Sequence, residues 1–64
     1  MKLKDLAPVE FVRDLALSYV RKGERGVIVG IGNTVYLVEV YNKYEDDWDI
    51  VDATDDDVRE VESQ

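Results

Sequence analysis

The run Arg21-Lys22-Gly23-Glu24-Arg25-Gly26-Val27-Ile28-Val29 constrains this chain more than any other stretch. Two glycines three residues apart interrupt a basic segment and lead straight into β-branched residues. Glycine permits positive φ and close backbone approach, while Val and Ile favour extended backbone, so the stretch reads as a bend feeding a strand. Gly30, inside the run 27–31, marks a bulge or close packing. Gly32-Asn33-Thr34 then supplies turn residues that tolerate left-handed geometry. Val35-Tyr36-Leu37-Val38-Glu39-Val40-Tyr41 follows as the clearest strand of the chain, and the two runs predict a β-hairpin.

Residues 9–22 admit two readings. Apolar residues at 12, 15, 16, 19 and 20 fit helical spacing, Pro8 suits a first helical turn and Gly23 a C-cap, giving an N-terminal helix over 8–22 packed on a β-meander. The other reading takes 9–13 as a strand and the remainder as a long loop. Beyond the hairpin, Asn42 is a turn former opening the acidic connection 42–47, and Trp48 to Ala53 reads as a fourth strand. Thr54-Asp55-Asp56-Asp57 reads as a single helical turn, with Thr54 as its cap and the acids near the positive end of its dipole. Val58 to Val61 is a short last strand, and the last three residues are expected to fray.

Sixty-four residues make one domain at most, with an ordered core over about 9–61. A chain this short buries only about 60% of its unfolded surface. It has no Cys and no His, which removes disulfides, thiolate metal sites and the commonest general base and metal ligand. No apolar run is long enough to span a membrane, and Met1 to Asp5 is not followed by a signal-peptide h-region. A soluble, cytoplasmic protein is the expectation. The net charge of −7 is unevenly spread: residues 1–38 carry six bases and four acids, residues 39–64 two bases and eleven acids, or +2 against −9. An acidic C-terminal half repels phosphate backbones and attracts basic partners.

These segments together resemble an uncharacterised family of short prokaryotic proteins with an SH3-like, KOW-like barrel. The resemblance rests on Val9 to Val12 followed by Arg13-Asp14-Leu15-Ala16, on Lys22-Gly23-Glu24-Arg25-Gly26-Val27-Ile28-Val29, on Tyr36-Leu37-Val38-Glu39-Val40, and on Asp56-Asp57-Val58-Arg59-Glu60-Val61. It departs from the family pattern at Ala16, where Pro is usual, and at Arg13, where an acid is usual. The resemblance implies an all-β fold: a small five-stranded SH3-like barrel with one short helical turn before the last strand. It favours the strand-and-loop reading of 9–22 and implies no catalytic residues. Some relatives are encoded beside small proteins of toxin–antitoxin or immunity character.

Candidate chemistry is sparse. Arg21, Lys22 and Arg25 resemble the basic loop of KOW domains, but nucleic-acid binding needs a net basic face, and these three stand beside a −9 half. The acids between Glu45 and Asp57 lack the alternating ligands and sharp-turn Gly of a Ca²⁺ loop. Paired carboxylates without a pocket give no acid–base catalyst. No catalytic, cofactor-binding or metal-binding residue is therefore assigned.

The third strand offers the best lead. Strand alternation separates Tyr36, Val38 and Val40 from Val35, Leu37, Glu39 and Tyr41, and the family resemblance puts the first set inward. Leu37, Tyr41, Tyr44 and Trp48 are then candidate partner-binding residues, with Glu45, Asp46, Asp47 and Asp49 as the acidic face that steers a basic protein partner. The resulting expectation is a non-enzymatic protein-interaction module, a monomer or weak homodimer that binds neither nucleic acid nor membrane. Two alternatives stand beside it: an acidic inhibitor of antitoxin, immunity or nucleic-acid-mimic type, and a KOW-like nucleic-acid-binding module.

Overall fold

The structure, a computed structural model, describes residues 3–62. Its elements are β1 (Pro8–Phe11), β2 (Arg25–Ile31), β3 (Tyr36–Asn42), β4 (Asp47–Ala53) and β5 (Val58–Glu60). All five lie in one antiparallel sheet in the order β4-β3-β2-β1-β5. The fold is all-β, and no helix forms among the described residues. The outer strands β4 and β5 share no ladder, so the sheet is open.

The alternative helix over 8–22 does not form. Pro8–Phe11 is a strand laddered on both sides, with Val9 opposite Gly26 in β2 and Glu60 in β5. Val9 and Phe11 are buried while Pro8 is exposed, a period of two rather than 3.6. Of the helically spaced residues, only Val20 is fully buried, and Val12 and Ala16 face solvent. Leu17 has a left-handed φ of 59°, which no right-handed helix accommodates. Residues 12–24 instead make a loop pinned by its own polar groups. Leu15 N donates to the Val20 carbonyl (3.0 Å), Lys22 N to Asp14 Oδ1 (2.9 Å) and Arg21 N to Glu24 Oε2 (2.6 Å).

The hairpin of β2 and β3 is as the sequence indicates, with a register shift between Ile28 and Gly30 that makes a bulge at Val29. The two glycines of the basic stretch do different work. Gly23 turns the chain at a φ of 95°. Gly26 lies within β2, between Val9 and Val40. A Cβ on it would stand 2.6 Å from the Glu39 carbonyl oxygen and 2.7 Å from Val38 Cγ1. Its role is close approach of two strands, not a bend.

The core collects one face of the sheet: Val9, Phe11, Ile28, Tyr36, Val38, Val40, Ala53 and Val58, capped by Val20 from the loop, with Leu15, Tyr19 and Val51 packed against it. The single helical turn read at 54–57 is seen as a hydrogen-bonded turn. Thr54 N and Thr54 Oγ1 both donate to Asp57 Oδ2 (2.8 and 3.0 Å), and Arg13 Nε donates to Asp57 Oδ1 at 2.7 Å. Asp57 N returns to the Thr54 carbonyl (3.0 Å). Burial of the Asp57 carboxyl acts to raise its pKa. The bonds from the Thr54 N–H, Arg13 and the Thr54 hydroxyl, with the Arg13 charge, outweigh burial and hold it below the usual value.

Candidate interaction surface

The face of β2-β3-β4 opposite the core is built by register. Leu37, Glu39 and Tyr41 point outward from β3, because Tyr36, Val38 and Val40 point inward. Their partners across the β4 ladder are Asp52, Ile50 and Trp48; those across β2 are Gly30 for Leu37 and Val27 for Glu39. The Tyr41 and Trp48 rings meet edge to face, 5.4 Å between centroids at 69°. That geometry suits the ring quadrupoles. Trp48 and Ile50 are each 60% exposed and Tyr41 41%. The half-buried Glu39 therefore sits at the centre of the patch, with Leu37 and Tyr41 along its own strand and Val27 and Ile50 across from it. Asp52 stands at one end of this patch, and Asp46 hydrogen-bonds the Tyr41 hydroxyl at the other. That bond, followed by burial, raises the Tyr41 pKa.

The β3–β4 connection is organised by Asn42. Its Oδ1 accepts from Tyr44 N (2.9 Å) and Glu45 N (3.2 Å), an Asx-type turn, while Nδ2 donates to Asp49 Oδ2 (2.9 Å). Asp46 closes the turn in the left-handed region, φ 54°, a conformation Asp tolerates better than most residues.

Of the residues expected to bind a partner, Leu37, Tyr41 and Trp48 share the outward face. Tyr44 leans the other way, packing edge-on against Tyr19 at 6.2 Å with the Lys43 ammonium 5.6 Å from its ring centroid. Glu45, Asp46 and Asp47 are exposed at the turn and the start of β4. Asp49 stands apart from them: it is on the inward side of β4, half-buried, accepting from Asn42 and from the Tyr19 hydroxyl (3.1 Å). Burial, then the bond and charge of Asp49, then the fields of Glu24 and Glu45 push the Tyr19 pKa up to about 12. Ile50 and Glu39 belong to the face and were not among the expected residues. The alternation that put Leu37 and Tyr41 outward applies equally to both.

Among the described residues no three carboxylates converge on a point that could hold a metal ion, and no helix is long and apolar enough to cross a membrane. Comparison with family models, with curated proteins and with solved structures found no match.

Proposed function

We propose that this chain is a non-enzymatic protein-interaction module related to SH3-like barrels, binding a partner with a basic surface through the outward face of β3 and β4. The observation that carries the reading is the Tyr41–Trp48 pair beside Ile50, Leu37 and Val27, a contiguous exposed apolar patch with Glu39 at its centre. Exposed apolar groups with aromatic anchors and a polar rim are the anatomy of a protein contact. Glu39 adds chemistry to the shape. An Arg or Lys of the partner lays its aliphatic stem over Val27 and Ile50 and brings its charge to the Glu39 carboxylate. Asp46 and Asp52 at the rim, with Asp47 exposed at the start of β4, raise the encounter rate with a basic surface.

The KOW-like reading has weaker support. The Arg21 guanidinium donates to the Ser18 and Val20 carbonyls of its own loop, and Asp14 and Glu24 lie at the base of that loop. The test is affinity capture from the native cell's lysate with wild type, Tyr41→Ala and Trp48→Ala as baits. A hot-spot aromatic is worth about 2 kcal/mol or more, so each variant should lose the partner by about tenfold or more. Undiminished capture by both overturns the assignment of the face.

A further inference from the structure

The edge of β4 is a second feature, which shares only Ile50 and Asp52 with the outward face. It is an outer strand of an open sheet, and it is seven residues long, whereas the opposite edge, β5, is three. Every second residue of an outer antiparallel strand aims its N–H and C=O away from its only neighbour. Among the described residues no backbone hydrogen bond joins β4 to the 12–24 loop or to β5. Asp47–Ala53 contains no Pro and no Lys and pairs with β3 without a bulge, so its acids are the one edge-blunting device it carries, and that device repels acidic or like-charged strands rather than basic ones.

Alongside this edge runs an open groove of about 1420 Å³, its far wall the 12–24 loop. Its lining includes Leu15, Leu17, Tyr19, Ile50, Val51 and Asp52, together with two arginines whose guanidiniums are engaged within the chain, Arg13 by Asp57 and Arg21 by the Ser18 and Val20 carbonyls. The volume exceeds the ~300–1,000 Å³ of small-molecule sites and suits a length of chain. Leu17 stands at the rim with its side chain fully exposed, 108% by area, on a left-handed backbone. Leu6 is likewise exposed on a left-handed backbone, with φ 66°, but of the two leucines only Leu17 lines the groove, where it offers apolar surface to an occupant.

We propose that the β4 edge takes an extended, basic segment of another protein as an added antiparallel strand, with Leu17 packing over it. Main-chain hydrogen bonds to the free edge supply affinity, and alternate side chains supply register. Charge selects the occupant. The edge strand carries Asp47, Asp49 and Asp52, and two copies paired edge to edge would bring two such sets together, which disfavours a second copy of this chain. Asp52 makes no hydrogen bond or ion pair among the described residues, so a Lys or Arg opposite it gains a free carboxylate. The site does not use the Tyr41–Trp48 pair.

The probe is a peptide of the same length as β4 with Lys and Val alternating, followed by amide NMR and hydrogen exchange on the full chain. Exchange at alternate β4 amides should slow by about tenfold with the peptide at about ten times its Kd. N-methylation of one alternate set of peptide amides should abolish binding and of the other leave it, because only one set faces β4. Leu17→Ser, at an exposed position, should weaken binding by about tenfold. The proposal is overturned if β4 amides gain no protection, or if both methylated peptides bind as the parent does. Peptide-induced shifts confined to Tyr41 and Trp48 would also overturn it while leaving the outward face standing.

Discussion

Gly26→Ala adds one methyl group where the structure has no room for it. The new Cβ would lie 2.6 Å from the Glu39 carbonyl oxygen, 2.7 Å from Val38 Cγ1 and 3.0 Å from Val40 Cγ1. None of these neighbours can yield easily. Glu39 O belongs to the backbone of β3, which is laddered on both sides, and Val38 and Val40 are buried to within 1%. Overpacking of a core costs about 1–3 kcal/mol, and a clash with central-strand backbone belongs at the upper end. A domain of this length has a total stability of about 3–10 kcal/mol, at about 0.05–0.15 kcal/mol per residue. A loss of about 3 kcal/mol lowers Tm by about 12–24 °C.

Gly23→Ala is the matched control, because the other glycine of the basic stretch has φ 95° and nothing within 4 Å of the new Cβ. Its left-handed strain of about 1–2 kcal/mol is partly offset by about 0.4–1 kcal/mol from a stiffer unfolded chain. Thermal and urea unfolding followed by far-ultraviolet circular dichroism should rank the variants wild type, Gly23→Ala, Gly26→Ala in falling stability. A Gly26→Ala variant within about 0.5 kcal/mol of wild type, or more stable than Gly23→Ala, refutes the close-approach account of the second glycine.

Two further outcomes follow from the polar contacts. Asp57→Asn should cost about 1–2 kcal/mol near neutral pH, since one carboxylate takes both Thr54 donors and Arg13; the Arg13 share is small because that side chain is 60% exposed. The folded pKa of Asp57 is depressed, so its stabilisation is complete above the unfolded value of about 4 and is lost as pH falls through the folded value. Urea midpoints of wild type and variant should therefore converge in acid, and a gap that stays constant with pH counts against the mechanism. Tyr19, with its pKa near 12, should ionise after an ordinary phenol, and its contribution to stability should hold below about pH 10 and fall as pH rises through 12. Asp49→Asn should bring that titration back toward the ordinary value, and ring-carbon NMR that finds Tyr19 unmoved rules out Asp49 as its partner.

The hairpin was legible because both of its strands and its turn are encoded locally: β-branched residues, a glycine–asparagine turn and strict alternation from Tyr36 to Tyr41 all agree. β1 was one of two readings that local spacing did not decide between, for a physical reason. It is four residues long and is held by ladders to β2 and β5, partners separated from it by a long loop and by most of the chain. Local spacing over 12–20 mimicked a helix only because Leu15, Tyr19 and Val20 each pack against the core from a loop pinned by Asp14, Ser18 and Glu24. The same division holds at the surface. Leu37, Tyr41 and Trp48 follow from alternation alone. The position of Tyr44 depends on the Asn42 turn and on Tyr19, which sequence spacing does not bring together. Asp49 was readable in principle, since an outward Trp48 turns its neighbour inward, but the surrounding run of acids hid the parity.

That parity changes what the acidic half of the chain means. If its carboxylates served only to keep the protein dispersed, they would all face water, where a strongly charged surface has that effect. Asp49 and Asp57 do not. Asp49 occupies an inward position of β4 and is tolerated there because Tyr19 and Asn42 both donate to it, tying the 12–24 loop to the outer strand. Asp57 ties the opposite end of the same loop, through Arg13, to the turn before β5. The two inward acids thus hold the loop over the open side of the core and make it the far wall of the β4 groove. Asp46 and the outward Asp52 are left at the two ends of the aromatic patch, and Asp47, on the same side of β4 as Asp49, is exposed at the start of the free edge. One compositional bias therefore does two jobs on alternate faces of a single strand: it builds the wall of a groove on one side and sets the charge of an exposed surface on the other.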